Sequence, residues 1–322
     1  GAGFAGWASP GEHREMGRAE AAGEQCRCQS LKRVEAKTTA LHFEDLRLVA
    51  VMSFPVTCTD VRGRTITVSD APERIVSLVP SQTELLADLG LQQSVAGITR
   101  FCERPDHWRD EKTVVGGTKQ VQMEVLRDLR PDLIIANREE NERTDVQALD
   151  ELAPTYVTDV TSVSDALDMI RTVGTLTGRD RRAGALADRI ARQFDELPDF
   201  QPLSAVYLIW REPFMTVGGD TFIHDMMGHG GFENLYGSDT RYPELTLDDL
   251  ADVEPDVVLC ASEPFPFHQK DRFTADIRDA AGDGSVRVVD GQVFSWYGSR
   301  LLDAPAALTN LRERLADLQV TP

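Results

Sequence analysis

The sequence predicts an α/β fold of two Rossmann-like lobes with parallel sheets, joined by one long rigid helix. Three observations carry this. Short apolar runs alternate with helical patterns across short connections, as in parallel sheets with helices on their faces. A helix–turn–strand passage recurs at a fixed offset of 124 residues. Between its two copies lies a stretch, Thr161 to Leu197, with the apolar rhythm of a helix.

The chain has 322 residues, enough for two domains with proper cores. Its net charge is −19. Only Lys32, Lys37, Lys112, Lys119 and Lys270 are lysines, so the cations are mostly Arg. Such a surface repels phosphate, which argues against nucleic acid as a partner. An acidic, Arg-over-Lys surface also suits a salt-rich habitat. No apolar run reaches eighteen residues, so no membrane-spanning helix is predicted. The cysteines, Cys26, Cys28, Cys58, Cys102 and Cys260, are odd in number and scattered. They are expected to be mostly free thiols.

Residues 1–51 lack periodicity. They are expected to be poorly structured or a mis-extended tail, with Met52 as the natural start. No charged start followed by an apolar core and a cleavage site is read there. Residues 52–160 should hold a hairpin and the first lobe. The hairpin is 56–68, turning at Asp60–Arg64 with Gly63 free to take positive φ.

In the first lobe, 74–79 reads as a buried strand. A helix follows to Leu89, with Ser81 as N-cap, Glu84 as its capping-box partner and Gly90 at the C-terminal end. Strands are expected at 95–99, ending at Val115, at 133–136 and at 155–158. Helices are expected at 123–129 and, after the loop 137–141, running to Leu152. Ligands of parallel sheets sit beyond the carboxyl ends of the strands. That places Pro80, Ser81, Arg100, Phe101, Gly117, Thr118, Asn137 and Arg138 along one rim.

Residues 161–198 are expected to form the connecting helices. Val163, Leu167, Ile170 and Val173 share one face, then Leu186, Ile190, Phe194 and Leu197. Gly174 and Gly178 interrupt the pattern, so two helices are read. The second spans about 28 Å from Arg179 to Leu197 and stops at Pro198. The glycines at 174, 178 and 184 are where its rigidity is expected to fail first.

The second lobe, 199–322, repeats the first. Glu124-x-Leu126-x-x-Leu129-x-Pro131-Asp132 aligns with Asp248-x-Leu250-x-x-Val253-x-Pro255-Asp256. The offset pairs Thr118 with Tyr242 and Glu124 with Asp248, and implies a pseudo-twofold. The loops of this lobe are rich in aromatics and Arg: Trp210, Tyr242, Phe265, Trp296 and Arg300 stand out. Two lobes with a stacking-rich rim between them make a cleft for a large, flat ligand.

The runs VSLVPSQTELLADLG, ITRFCERP, VGGTKQVQMEVLRDLRPDLIIAN and PFMTVGGDTFIHDMMG, with GGFEN, resemble ABC-importer substrate-binding proteins for cobalamin and iron chelates, the helical-backbone metal receptors. The resemblance covers about 72–318. It implies the class III periplasmic-binding-protein plan: a monomer with no resident cofactor and an extracytoplasmic site of action. The bound ligand would be a cobalt or iron chelate, with a cobalamin-like corrinoid favoured and a ferric siderophore or haem next. Phe101 and Tyr242 match cleft aromatics, and Arg300 a basic residue near the ligand. Glu124 and Asp248 match the acidic pair that docks on a permease dimer. Thr118 departs from the pattern, standing where a cobalamin binder has Trp.

No nucleophile motif, G-x-G-x-x-G or phosphate loop is present, so no catalytic residue is assigned. His224 and His229 lie five apart, which is not the spacing of a helical ligand pair, and no metal site is expected. The second reading is a chelatase-like enzyme with His268 and Glu263 as its acid–base pair.

Overall fold

In the computed structural model, residues 54–282 and 285–316 are described. The expectations for residues 1–51, the start at Met52 and the thiols Cys26 and Cys28 lie outside them. Cys102 and Cys260 are buried free thiols.

The first sheet has five parallel strands in the order Thr113–Val114, Val95–Ile98, Ile75–Ser77, Leu133–Asn137, Thr155–Thr158. The second has four, in the order Phe232–Asn234, Leu203–Leu208, Val257–Ala261, Val286–Val289. It is the first sheet without its outer strand. The hairpin Val56–Thr59 with Thr65–Val68 forms as expected, with Gly63 at φ 73°.

The offset of 124 residues holds in three dimensions. Helices Met123–Leu129 and Leu247–Asp252 begin 124 apart, and strands Leu133–Asn137 and Val257–Ala261 begin and end 124 apart. The backbone repeats as well: Arg130 (φ 48°) and Glu254 (φ 46°) are both left-handed. The Pro-Asp pairs gain a role here. Asp132 accepts the N–H groups of Glu73 and Arg74, each at 2.9 Å. Asp256 accepts the N–H of Ser204 at 2.8 Å and its hydroxyl at 2.7 Å. Each carboxylate ties the start of its strand to the neighbouring one.

Two helices, Val163–Leu176 and Asp180–Asp195, connect the lobes. They pack antiparallel, joined by Arg171–Asp188 at 3.0 Å and Thr175–Asp180 at 2.6 Å. The first does not break at Gly174; it turns at Gly178, where φ is 66°. The second is the one that crosses. Arg182 near its start lies against Gly90 of the first lobe, and Phe194 near its end packs on His229 of the second. Its 16 residues span about 24 Å. Its buried face is Ala183, Ala187, Ile190 and Phe194. The expected Leu186 is only half-buried, and Leu197 lies past the end. Small side chains on the inner face let the helix axes approach closely.

Gly174 is therefore a packing contact rather than a weak point. A Cβ there would collide with that of Ala183, whereas a Cβ at Gly184 meets nothing. Gly174→Ala is expected to destabilise by about 1 kcal/mol through overpacking. Gly184→Ala should stabilise by about 0.5–1 kcal/mol, because glycine is a poor helix former. Urea unfolding of the two variants should give shifts of opposite sign.

One continuous core runs from the first sheet through the helix pair to the second sheet. Smaller cores cover the opposite face of each sheet. The turn Ser299–Leu302 returns to the first lobe and packs on helix Pro80–Asp88. That helix begins at Pro80, whose fixed φ suits the first helical position. Ser81 lies inside the first turn and caps nothing. Glu84 closes no capping box and instead holds Arg300 at 2.9 Å.

Candidate ligand-binding cleft

Loops beyond the carboxyl ends of both sheets enclose a cavity of about 470 Å³ between the lobes. Six of the residues expected to bind ligand line it: Pro80, Ser81, Phe101 and Thr118 from the first lobe, Tyr242 and Trp296 from the second; so does Glu263, the acid of the chelatase reading. Phe101 is 49% exposed, a large apolar ring left open at the mouth. Thr118 and Tyr242, paired by the repeat, face the same space. So do Glu139 and Glu263, which are also 124 residues apart.

The loop after Leu133–Asn137 is built by asparagines. The Asn137 side chain is buried and accepts the N–H of Glu139 at 2.8 Å and of Glu140 at 3.1 Å. Asn141 accepts the N–H of Asn137 at 2.9 Å and donates to the Thr118 carbonyl at 2.9 Å. Lys119 donates to the Glu139 carbonyl at 2.6 Å. This network presents Glu139 and Glu140 to the cleft. Tyr242 reaches across from the other lobe and donates its hydroxyl to Glu139.

On the second lobe, Glu263 accepts the Trp296 indole N–H at 2.7 Å and the Gln292 amide at 3.2 Å. It fixes the plane of Trp296. Arg300 lies over the same ring, 5.4 Å from its centroid. Phe222 meets Tyr297 edge to face at 5.6 Å, and both line the cleft.

The lining is acidic: Glu103, Glu139, Glu140 and Glu263 against Lys119. Burial raises the Glu140 carboxyl to about 7, with Glu139 adding to the rise and Lys119 opposing it. Burial also raises Glu139 and Glu263, against the hydrogen bonds from Tyr242 and from Gln292 and Trp296 respectively. The Tyr242 and Tyr297 phenols are pushed well up, first by burial and then by the neighbouring glutamates.

The other singled-out residues do not line the cavity. Asn137 scaffolds its loop. Arg138 pairs with Asp159 at 3.1 Å. Arg100 is exposed, 5.1 Å from the Phe101 ring. Trp210 and Phe265 stack edge to face at 5.7 Å, and Phe265 continues into Phe267 and Phe273. Arg300 is held by Glu84. Glu124 and Asp248 are exposed at matching first turns of the repeated helices, with Glu124 bonded to Arg127 at 2.6 Å.

Sequence reasoning did not single out Glu103, Lys119, Glu139, Glu140, Phe222 or Tyr297. Glu139 was within reach, since subtracting 124 from Glu263 gives it. Among the described residues no group of three His, Cys, Asp or Glu could hold a bare metal ion. His224 lies 3.2 Å from the Asn234 amide, and His229 lies 3.6 Å from Asp225. His268 is exposed on the turn Phe267–Gln269, outside the lining, while Glu263 is committed to Trp296. The acid–base pair of the chelatase reading is not assembled.

Among relatives, a protein of Halobacterium salinarum named cobalamin-binding protein is 30% identical over 219 residues, covering 64% of this chain and 58% of its own length. An uncharacterized ABC transporter substrate-binding lipoprotein of Bacillus subtilis is 26% identical over 219 residues, covering 64% and 69%. The alignments thus span 58% and 69% of these relatives' own lengths. In fold, the chain is similar to the periplasmic vitamin B12 binding protein of Vibrio cholerae, with a TM-score of 0.65 and 20% identity. That match covers 78% of this chain and 99% of the other. The periplasmic heme-binding protein of Roseiflexus sp. RS-1 matches as well, with a TM-score of 0.65, 20% identity and coverage of 77% and 99%. No helix among the described residues is long and apolar enough to cross a membrane. The periplasmic binding protein family model matches residues 75–280. With its two parallel-sheet lobes, crossing helix and cleft, the chain belongs to the periplasmic binding protein family, a family of solute binders rather than enzymes.

Proposed function

We propose that this chain is the substrate-binding component of an ABC importer, and that it carries a metal chelate of corrinoid type between its lobes. The observation that supports this most is the cleft, whose aromatic rings come from both lobes: Phe101 from one, Phe222, Tyr242 and Trp296 from the other. Facing rings suit a flat, bulky chelate, and the cavity volume falls in the range of ligand sites. The Halobacterium relative named for cobalamin and the acidic lining both favour a corrinoid over haem, whose two carboxylates would meet four glutamates.

Titration with cyanocobalamin, haem and a ferric siderophore, followed by tryptophan quenching, tests the reading. Saturable quenching by cyanocobalamin at lower concentration than by the others is the expected result, without turnover. Tyr242→Ala should weaken that binding by about 1–2 kcal/mol. Unchanged affinity would remove Tyr242 from the contact surface.

Delivery is assigned to Glu124 and Asp248, one exposed acid on each lobe. They would meet cationic residues of a permease dimer, with this chain acting as a monomer. The doubly charge-reversed variant Glu124→Lys, Asp248→Lys should keep its chelate affinity and lose stimulation of the cognate transporter ATPase. A loss of chelate affinity instead would place these acids in the ligand site.

A further inference from the structure

The cleft contains two polar groups that the fold leaves unanswered. Tyr297 is 7% exposed and lines the cavity; the Ser81 hydroxyl lies beside its own, but the phenol makes no hydrogen bond of ordinary geometry among the described residues. Glu140 lines the same cavity. Its backbone N–H is bonded to Asn137, but its carboxylate has no hydrogen-bond or ion-pair partner among the described residues. Both face the one cavity, and after burial the Glu140 charge contributes to the upward push on the Tyr297 phenol. Leaving a buried phenol without an acceptor is costly, and the half-buried Glu140 carboxylate beside it is open to a donor from the cavity, so the two groups point to a partner that arrives from outside.

The chemistry of the missing partner follows from the pair. A phenol O–H needs an acceptor and a carboxylate needs a donor. A primary carboxamide supplies both from one planar group. A carboxylate supplies only acceptors, and would set a second negative charge beside Glu140, with Glu139 and Glu263 also facing the cavity. Lys119 is the one cation among the lining residues, and it is engaged by the Glu139 carbonyl at 2.6 Å and lies 3.8 Å from Glu142.

We infer that Glu140 and Tyr297 form a subsite that reads a peripheral carboxamide of the bound chelate and rejects a carboxylate in its place. The inference rests on the reading of the cleft as a chelate site. It deepens that reading, because a corrinoid carries carboxamides around its rim where haem carries carboxylates. Selection then comes from hydrogen-bond complementarity and like-charge rejection, while the aromatic walls contribute area without chemical identity.

The test compares cyanocobalamin with its monocarboxylate isomers, in each of which one propionamide has been hydrolysed. Dissociation constants are measured by fluorescence quenching at about pH 8, where Glu140 is ionised. At least one isomer should bind the unmodified protein about tenfold or more weakly than cyanocobalamin, the size expected when a half-buried carboxylate loses its donor and meets a like charge. Glu140→Gln should cut that ratio to about threefold or less, since its neutral amide removes the repulsion. Tyr297→Phe should weaken cyanocobalamin about fivefold, with urea midpoints reported alongside to show that the variant is folded. If all isomers bind within about twofold of cyanocobalamin, or the ratio survives in Glu140→Gln, the carboxamide subsite is wrong while the chelate reading stands. If cyanocobalamin itself does not bind, the reading beneath the inference falls, and the inference with it.

Discussion

Arg300→Ala is expected to lower the unfolding free energy by about 3 kcal/mol, the cost of stranding a half-buried acid. Arg300 donates from Nε to Glu84 at 2.9 Å and makes a second bond from its other fork. Side-chain exposure is 17% for Arg300 and 16% for Glu84, so water screens the pair poorly. Glu84 lies on the first helix of the first lobe and Arg300 near the end of the second, so their bond clamps the two lobes. The substitution also uncovers Trp296, over which the guanidinium sits. Urea unfolding should show a lower midpoint at unchanged slope. Replacing both residues by Met should recover most of the loss, because no charge is then left buried. If the single variant were as stable as the parent, the clamp would be a surface pair of no consequence.

This role for Arg300 was not legible in the sequence. The resemblance placed a basic residue near the ligand there, but nothing in a linear chain says that residue 300 returns to residue 84. The helices, strands and repeat were legible because they are local or periodic. The strand at Thr155–Thr158 and the helix at Met123–Leu129 follow from apolar spacing within a few residues, and the offset of 124 carries the lobe relation. Helix ends were harder. Pro80 displaced the cap assigned to Ser81, and the helix expected to break at Gly174 ran on to Leu176, because Ala183 fills the notch that Gly174 leaves. A glycine at a close approach and a glycine at a break look alike until the partner is known.

The cleft divided in the same way. Rim position at a strand's carboxyl end was enough to find Ser81, Phe101 and Thr118. It could not separate Asn137, which folds the loop, from Glu139 and Glu140, which the loop displays. Aromatic content found Trp296 and Tyr242, but also Trp210 and Phe265, whose rings turn toward Phe267 and Phe273. The single continuous core through both lobes and the helix pair has a consequence for motion. Opening the lobes widely would expose apolar surface from that core, which is unfavourable in proportion to area. X-ray scattering profiles with and without bound chelate are accordingly expected to differ little.

Glu140→Gln is expected to stabilise the protein by about 2 kcal/mol at pH 8 and by nothing at pH 4.5. The direction follows from proton counting. Burial, reinforced by Glu139, raises the Glu140 carboxyl from 4.5 to about 7. Between those values the folded chain holds a proton there that the unfolded chain has lost. Stability therefore falls as pH rises through this window, and the full cost is present above pH 7. A shift of that size corresponds to about 3 kcal/mol at most, and partial access to cleft water brings the expectation down to about 2 kcal/mol. Glutamine keeps the shape and carries no charge at either pH, so it removes only this cost. The repulsion from Glu139 and Glu263 is removed together with the Glu140 charge and acts in the same direction. Urea midpoints at intervals from acid to mild alkali should give curves for the two proteins that coincide at low pH and part through neutrality. A difference independent of pH would mean that the substitution acts through packing. If the parent were the more stable protein at pH 8, Glu140 would have a counter-charge in the folded state, and the acidic character assigned to the cleft would be wrong.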